Sequence, residues 1–448
     1  MAGGAEPRPY EHRHKNAMRI MIVTDQYPPQ VGGVPNVTHG LAHDFANRGH
    51  QVWVVAPSVG PHDNHYIEQN VRVYRFSSFP WPTYSDLRIT FLPFVPVRNL
   101  LKKTDPHIIH IHSPVVLGNI AQMMAGGLRK PVVVTNHYLP INISRTLSND
   151  PVLSKPFSGI TYGYLVQFYN RCEYVTSPTV TALNLLYEHG LRAPASVISN
   201  GIDLKKFAPG GRDEAVLRHY RLPLDRPIIL HANRLSEEKR IDVLINAIAK
   251  TRSNAHVALV STGPAEQELR ALVNTLGVDD RISFLGYVSD ADLLALRRSS
   301  ALFAIPSEAE LQSLATMEAM ACGLPVIAAN SYALPELVHH KENGFLFPPG
   351  DSEALAAYID QLVSDEELRR TMGARSLEII AKHDRTLVLE QWESLYRRLS
   401  LEFIEAKDRK AQLRIARKRT GYIARHTRHS RIVRTGELLV DPKLFEEM

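Results

Sequence analysis

Residues 301–329 read ALFAIPSEAELQSLATMEAMACGLPVIAA. A short apolar run, ALFAI, leads into a polar loop, PSEAELQS, then into LATMEAMACG and a second apolar run, LPVIAA. Two buried-type strands flanking a helix of this size form the β-α-β unit of a parallel sheet. Leu314, Met317, Glu318 and Ala321 fall on one stripe by the i, i+3, i+4, i+7 rule, so Glu318 shares the face that packs inward. Glu310 stands eight residues earlier, in the loop. A buried carboxylate needs partners, yet no Lys or Arg occurs between Ser299 and His340. Its hydrogen bonds must come from a distant part of the chain or from a bound molecule.

Outward from this unit the same alternation continues in both directions. The strands PIILHA, HVALVS, RISFLG, ALFAI and PVIAA, with helices between them, form one α/β series, and helices follow from 351 onward. An earlier series begins with RIMIVT at 19–24, a glycine-containing loop DQYPPQVGG, an amphipathic helix around 34–48 and the strand QVWVVA. Further strands are expected at Val71–Phe76, His107–Ile111 and Val132–Asn136. The segment VISNGIDLKKFAPGG at 197–211, dense in Gly, Pro and charge, reads as the boundary between the two series. Two α/β halves of similar size imply a cleft, and in open parallel sheets ligands sit beyond the carboxyl ends of the strands.

Composition excludes other classes. With 448 residues, 44% apolar and 22% charged, the chain is ordinary globular material. No stretch approaches the ~18 apolar residues of a spanning helix, and the lead MAGGAEPRPYEHRHKN has no apolar core. Two cysteines, Cys172 and Cys322, make neither a disulfide framework nor a zinc site, which fits a reducing, cytoplasmic setting. Charge is uneven: Lys407–Arg434 holds eleven Lys or Arg against one acid, Asp408. The basic segment 401–434 is either a solvated tail or an attachment to an anionic membrane surface, which would place the protein peripherally at the inner face. No nucleic acid is expected as partner.

Several residues carry chemistry. Gly32 and Gly33 lie between the first strand and its helix, as turn-formers or as close contacts for a phosphate; the pattern is not GxGxxG. In NRLSEEKRID, Arg234 and Lys239 stand at a helix start beyond a strand end. They either flank an anion such as a diphosphate or pair with Glu237, Glu238 or Asp242. His137 follows the strand VVVTN. His107, His110 and His112 are read as alternating along one strand face in packing roles, with His112 lining the cleft and no acidic partner for a metal. The Asp-x-Asp at Asp290 and Asp292 follows Ser289 and suits the first turn of a helix rather than a metal. Walker, HExxH and Ser-His-Asp signatures are absent.

Assembled, these residues resemble the retaining GT-B glycosyltransferases of the family 4, group 1 kind, from Arg19 to about Leu399. The E-x7-E pattern of Glu310 and Glu318 is the most specific mark; YPPQVGGV, NHYLP, SNGID, RLSEEK and STGP are lesser ones. The resemblance implies an α/β GT-B fold of two Rossmann-like domains with parallel sheets facing a central cleft. It divides the chain into a lead at 1–18, an acceptor domain at 19–198, a nucleotide-sugar domain at 199–385, a helix at 386–400 crossing back to the first domain, and a basic tail at 401–448. It implies a UDP- or GDP-linked sugar as donor substrate, no other cofactor and no metal. Glu310 would hold sugar hydroxyls and Glu318 the ribose. Arg234 and Lys239 would neutralise the diphosphate with backbone N–H groups of Gly33, Leu311, Gln312, Ser313 and Leu314, and His137 would lie near the transferred sugar.

The chain departs from that family's pattern at three points: Leu311-Gln312-Ser313 follows Glu310 where a glycine is common, Asn233 stands where glycine is frequent, and Arg240 follows Lys239 where glycine is usual. Residues 76–103, rich in aromatics, Pro and terminal Lys, suggest an apolar and basic surface for a lipid acceptor, and Glu310-Leu-Gln resembles the E-x-Q form of diacylglycerol glucosyltransferases. A saccharide acceptor is the other expectation. The rival readings are a GT-B-fold nucleotide-sugar epimerase or phosphorylase, and a non-catalytic scaffold.

Overall fold

Short runs of β-branched residues, buried on both faces, set the architecture. A computed structural model of the chain describes residues 17–81, 84–140 and 151–406. The first sheet has eight strands, in the order Ala195–Val197, Tyr174–Ser177, Val132–Thr135, Ile108–Ile111, Arg19–Val23, Gln51–Pro57, Val71–Phe76 and Asn64–Glu68. All its pairings are parallel except the last, which is antiparallel. The second sheet is wholly parallel, in the order Ile282–Gly286, His256–Val260, Ile228–Ala232, Leu302–Ile305, Val326–Ala329 and Gly344–Phe347. Strands such as Val132–Thr135 and Val326–Ala329 are buried at every residue, as a sheet covered by helices on both sides requires. Each sheet carries its own apolar core.

Strand order positions the functional region. Arg19–Val23 lies between Gln51–Pro57 and Ile108–Ile111, and Ile228–Ala232 lies between His256–Val260 and Leu302–Ile305. These are the points where each sheet's winding reverses, and a crevice opens beyond the strand ends there. The expected strands all form, with ends within a residue of their reading. Six more were not legible. Tyr174–Ser177, Ala195–Val197 and Gly344–Phe347 are three or four residues long, and Asn64–Glu68 is a polar edge strand. Ser78–Trp81 and Tyr84–Thr90 form a hairpin within the 76–103 region. In that region Phe91, Leu92 and Val95 are 59%, 67% and 67% exposed, close in sequence to the exposed Arg98, Lys102 and Lys103 of helix Phe94–Thr104.

One reading is corrected. His107 does not share a face with His110 and His112: it precedes the strand, three residues from His110, and an odd separation reverses the side of a pleated strand. Its Nδ1 accepts from the Arg19 amide at the opposite end of the sheet.

The linker after Val197 is tied to the chain's later part: the Ile202 amide donates to the His383 carbonyl and the Arg385 amide to that of Ile202. A helix beginning at 385 then packs on the first sheet's side. Arg385 pairs with Asp44, Glu393 accepts from Arg48 and His50, and the Tyr396 hydroxyl shares a 2.6 Å hydrogen bond with His110 Nδ1. No helix among the described residues is long and apolar enough to cross a membrane. The lead at 1–16 and the basic segment from 407 lie outside the described residues.

Candidate active site

A cavity of about 910 Å³ opens where the two switch points face each other. Its lower wall is the 301–329 unit. Ser313 caps helix Leu314–Ala321 by accepting from the Thr316 amide, and Leu314 and Ala315 in the first turn line the cavity. Opposite, helix Gly33–Asn47 begins at Gly33, which also lines it; a Cβ built there would lie 4.0 Å from Leu314 Cδ1. Neither helix has an acid in its first turn. Two helix N-termini thus aim unneutralised N–H groups and partial positive charge into one space, an arrangement that favours an anion.

The glutamates find their cations far away in sequence. Lys239 Nζ donates to Glu310 Oε1 at 2.7 Å, and both side chains are largely buried. Glu318 pairs with Arg297, whose side chain is only 4% exposed and lies 5.5 Å over the Phe207 ring. Burial pushes the Glu318 carboxyl above its usual range, against the pull of Arg297. Arg297 Nε has no hydrogen-bond partner among the described residues. Sequence reading missed this arginine, although it stands four residues after Leu293 on the helix face that lines the cavity.

The loop bearing Lys239 is held by two features. A Cβ on Gly263 of STGP would fall 2.1 Å from the Leu235 carbonyl oxygen, so only glycine lets that loop pass beneath NRLSEEK. Arg240 adopts the left-handed conformation, φ 48°, that glycine usually takes, and its side chain bridges Asp242 and Glu308. The paired partners offset a conformational cost of about 1 kcal/mol.

Gln312 works across the two halves. Its side-chain oxygen accepts from the Asn200 amide at 2.8 Å, and its nitrogen donates to Ser199 Oγ at 3.0 Å and to the Pro178 carbonyl at 3.3 Å. Thr179 Oγ1 donates to the Leu311 carbonyl, and the Glu336 carboxylate accepts from the Val180 and Thr181 amides. A glycine in place of Gln312 could make none of the side-chain bonds.

His137 lines the cavity with His112, 2.8 Å from ring nitrogen to ring nitrogen. Burial holds the His137 imidazole down to about 4 and His112 well below the usual range, so both are neutral near pH 7. His231, beneath Lys239 and Glu310, is likewise held down to about 4 by burial. Asp290 and Asp292 sit in the first turn of helix Asp290–Ser299 with Ser289 as cap; Asp290 pairs with Lys206 and Asp292 accepts from the Tyr220 hydroxyl.

Of the residues singled out from sequence, Gly33, His137, Lys239, Glu310, Gln312, Ser313, Leu314 and Glu318 line the main cavity, and Leu311 lines an adjoining one of about 330 Å³. Arg234 does not line either; it is exposed, next to Asn233, which does.

Two facing parallel-sheet halves with an anion-attracting cleft and paired carboxylates define a nucleotide-sugar-dependent transferase of the GT-B class. The model for "Glycosyl transferases group 1" matches residues 213–378, and that for "Glycosyltransferase Family 4" matches 31–206. The chain belongs to this family of glycosyltransferases and is a hexosyltransferase. It is 29% identical over 396 residues, 85% of its length and 97% of the relative's, to the N-acetyl-alpha-D-glucosaminyl L-malate synthase of Bacillus anthracis. It is 26% identical to the alpha-monoglucosyldiacylglycerol synthase of Streptococcus pneumoniae, covering 82% of this chain and 83% of that one. Among solved structures, HepE of Anabaena in complex with UDP and glucose shares the fold at a TM-score of 0.69 and 23% identity, covering 84% of this chain and 99% of that one.

Proposed function

We propose that the protein moves a hexose from a UDP- or GDP-linked donor to an acceptor hydroxyl with retention of anomeric configuration, and that the acceptor is a lipid or glycolipid at a membrane surface. The observation that carries the donor half is the Glu310–Lys239 and Glu318–Arg297 pairing beside two helix N-termini in one cavity. The diphosphate lies against the first-turn amides of Leu314 and of Gly33, with Lys239 supplying positive charge; Arg234, exposed and outside the cavity, adds its charge only by turning in when the donor binds. Cleaving the sugar–phosphate bond builds negative charge on the leaving group, and fixed cations and amides lower that barrier without a metal. Lys239 has three N–H groups and can bond Glu310 and a phosphate together.

Glu310 accepts from hydroxyls of the transferred sugar. A carboxylate already paired with Lys239 suits orientation better than nucleophilic attack. The acceptor hydroxyl enters on the face the diphosphate leaves, and a phosphate oxygen takes its proton. Glu318, oriented by Arg297, holds the ribose. Neutral His137 bonds the sugar without adding charge beside the developing oxocarbenium ion.

The lipid half is supported by the exposed Phe91, Leu92 and Val95 near Arg98, Lys102 and Lys103. The pneumococcal relative's name, a diacylglycerol product, is consistent with it. A donor and acceptor screen read by mass spectrometry, with nucleotide release followed in parallel, tests the reading. Glu310→Ala is expected to lose transfer by at least about a hundredfold while keeping its fold; unchanged turnover in that variant defeats the mechanism. Binding to anionic vesicles should fall when Lys407–Met448 is removed, and equal binding rejects a membrane role for that segment.

A further inference from the structure

Away from the donor half, on the first domain's wall of the cavity, three metal-ligating side chains converge with no role in the transfer chemistry. His39 and His43 stand four apart on helix Gly33–Asn47, so they share a face, and Glu68 reaches them from the edge strand Asn64–Glu68. His39 Nε2 lies 3.5 Å from Glu68 Oε1 and His43 Nε2 lies 3.9 Å from Glu68 Oε2. One ligand atom from each residue falls within 4.8 Å of the others. Ligands at tetrahedral Zn²⁺ stand about 3.4 Å apart, so closure needs shifts of an ångström or so.

His43 points to a ligand independently. It is 7% exposed, yet among the described residues neither of its ring nitrogens has a hydrogen-bond partner. A buried imidazole with both nitrogens unsatisfied costs free energy unless something binds it. The nearby cations are engaged elsewhere: Arg75 donates to the Pro57 carbonyl and the Tyr66 hydroxyl, and Arg385 pairs with Asp44. The Tyr27 hydroxyl is buried and also without a partner among the described residues, with its ring 5.6 Å from that of His39.

We propose that His39, His43 and Glu68 bind one Zn²⁺, with its fourth position open toward the cavity. Two imidazoles and a carboxylate with an open position form a set that zinc favours. The ion clips the polar edge strand onto helix Gly33–Asn47, whose first turn lines the opposite end of the same cavity. Its open position offers a site for an anionic or hydroxyl group of the acceptor. The donor phosphates are held by other residues, so this ion is distinct from the metal-independent leaving-group chemistry.

The full chain, stripped with a chelator, is titrated with ZnCl₂ and CoCl₂. The chain has twenty histidines, so the measurement is a difference between variants. After dialysis, wild type should retain one more zinc per chain than His39→Ala/His43→Ala, and its Co²⁺ form should show the intense visible bands of a tetrahedral site. Glu68→Gln should weaken binding by at least about tenfold, because even outer-shell partners of zinc ligands are worth that much. Glu68 is partly exposed, so this variant folds even where the double-histidine variant does not. Equal Zn²⁺ affinity in wild type and Glu68→Gln, or a weak octahedral Co²⁺ spectrum in wild type, overturns the proposal.

Discussion

Replacing Arg297 by Met removes one partner of a buried pair and keeps most of the side-chain volume. The Arg297 side chain is 4% exposed and that of Glu318 24%, so the carboxylate left behind is only partly reached by water. Breaking such a pair on one side costs about 3–5 kcal/mol, and the partial exposure of Glu318 places the expectation near about 3 kcal/mol at pH 8. The sign with pH follows from Glu318. Its folded pKa is already raised by burial, and losing Arg297 raises it further. Between the unfolded value of about 4.5 and the folded one, the native state holds a proton that the unfolded state has released, so stability falls as pH rises. The deficit of Arg297→Met should therefore shrink at pH 5 and grow to its full size by pH 8. Arg297→Met/Glu318→Gln removes the stranded charge and should regain most of the loss with no pH dependence. Urea denaturation at pH 5, 6.5 and 8 measures this, with the nucleotide KM expected to rise in both variants as the ribose contact proposed for Glu318 is lost. A double variant as unstable as the single, or a deficit that does not vary with pH, refutes the reasoning.

Other outcomes follow from the same geometry. Acidification from pH 6.5 toward 4 should destabilise the protein, because His137, His231 and His383 stay neutral when folded, held down to about 4 by burial, while the unfolded chain protonates. Each contributes up to about 3 kcal/mol, and a flat thermal stability across that range contradicts it. Gln312→Leu should lower stability by about 1–3 kcal/mol, since the half-buried Asn200 amide loses its side-chain partner and the Ser199 hydroxyl one of several, and should raise the nucleotide KM through altered seating of the two halves. Gly263→Ala forces a methyl against the Leu235 backbone. It should cost about 1–3 kcal/mol and weaken donor binding by shifting the Lys239 loop, as read by calorimetry with UDP and GDP.

The legible parts were those written in adjacent residues. The strands Ile228–Ala232, His256–Val260 and Val326–Ala329 are apolar runs broken by at most one histidine, and Ser289 ahead of Asp290 and Asp292 announces a helix start by its side-chain oxygen. Tyr174–Ser177 and Ala195–Val197 were missed because each mixes hydroxyl residues into three or four positions, whereas the equally short Val326–Ala329 is wholly apolar. Asn64–Glu68 was missed because only one side of it is covered and its residues are mostly polar. The departures from the family pattern gained reasons: Arg240 holds a glycine conformation because Asp242 and Glu308 grip it, and Gln312 bridges Pro178, Ser199 and Asn200.

The two parallel α/β halves were written in the sequence, as were the expectations of a boundary near Val197 and of a donor half centred on Glu310 and Glu318, since periodicity and motif spacing are properties of neighbours along the chain. Tertiary structure alone decided which cations meet those carboxylates. Lys239 lies 71 residues from Glu310 and Arg297 lies 21 from Glu318. Lys239 and Glu310 meet because Ile228–Ala232 pairs with Leu302–Ile305, which brings the loop after one strand beside the loop after the other; Arg297 and Glu318 meet between the helices that precede and follow Leu302–Ile305. Sheet order is set by the packing of whole strands, so no local pattern records it. The same holds for His43 and Glu68, joined where helix Gly33–Asn47 meets the edge strand.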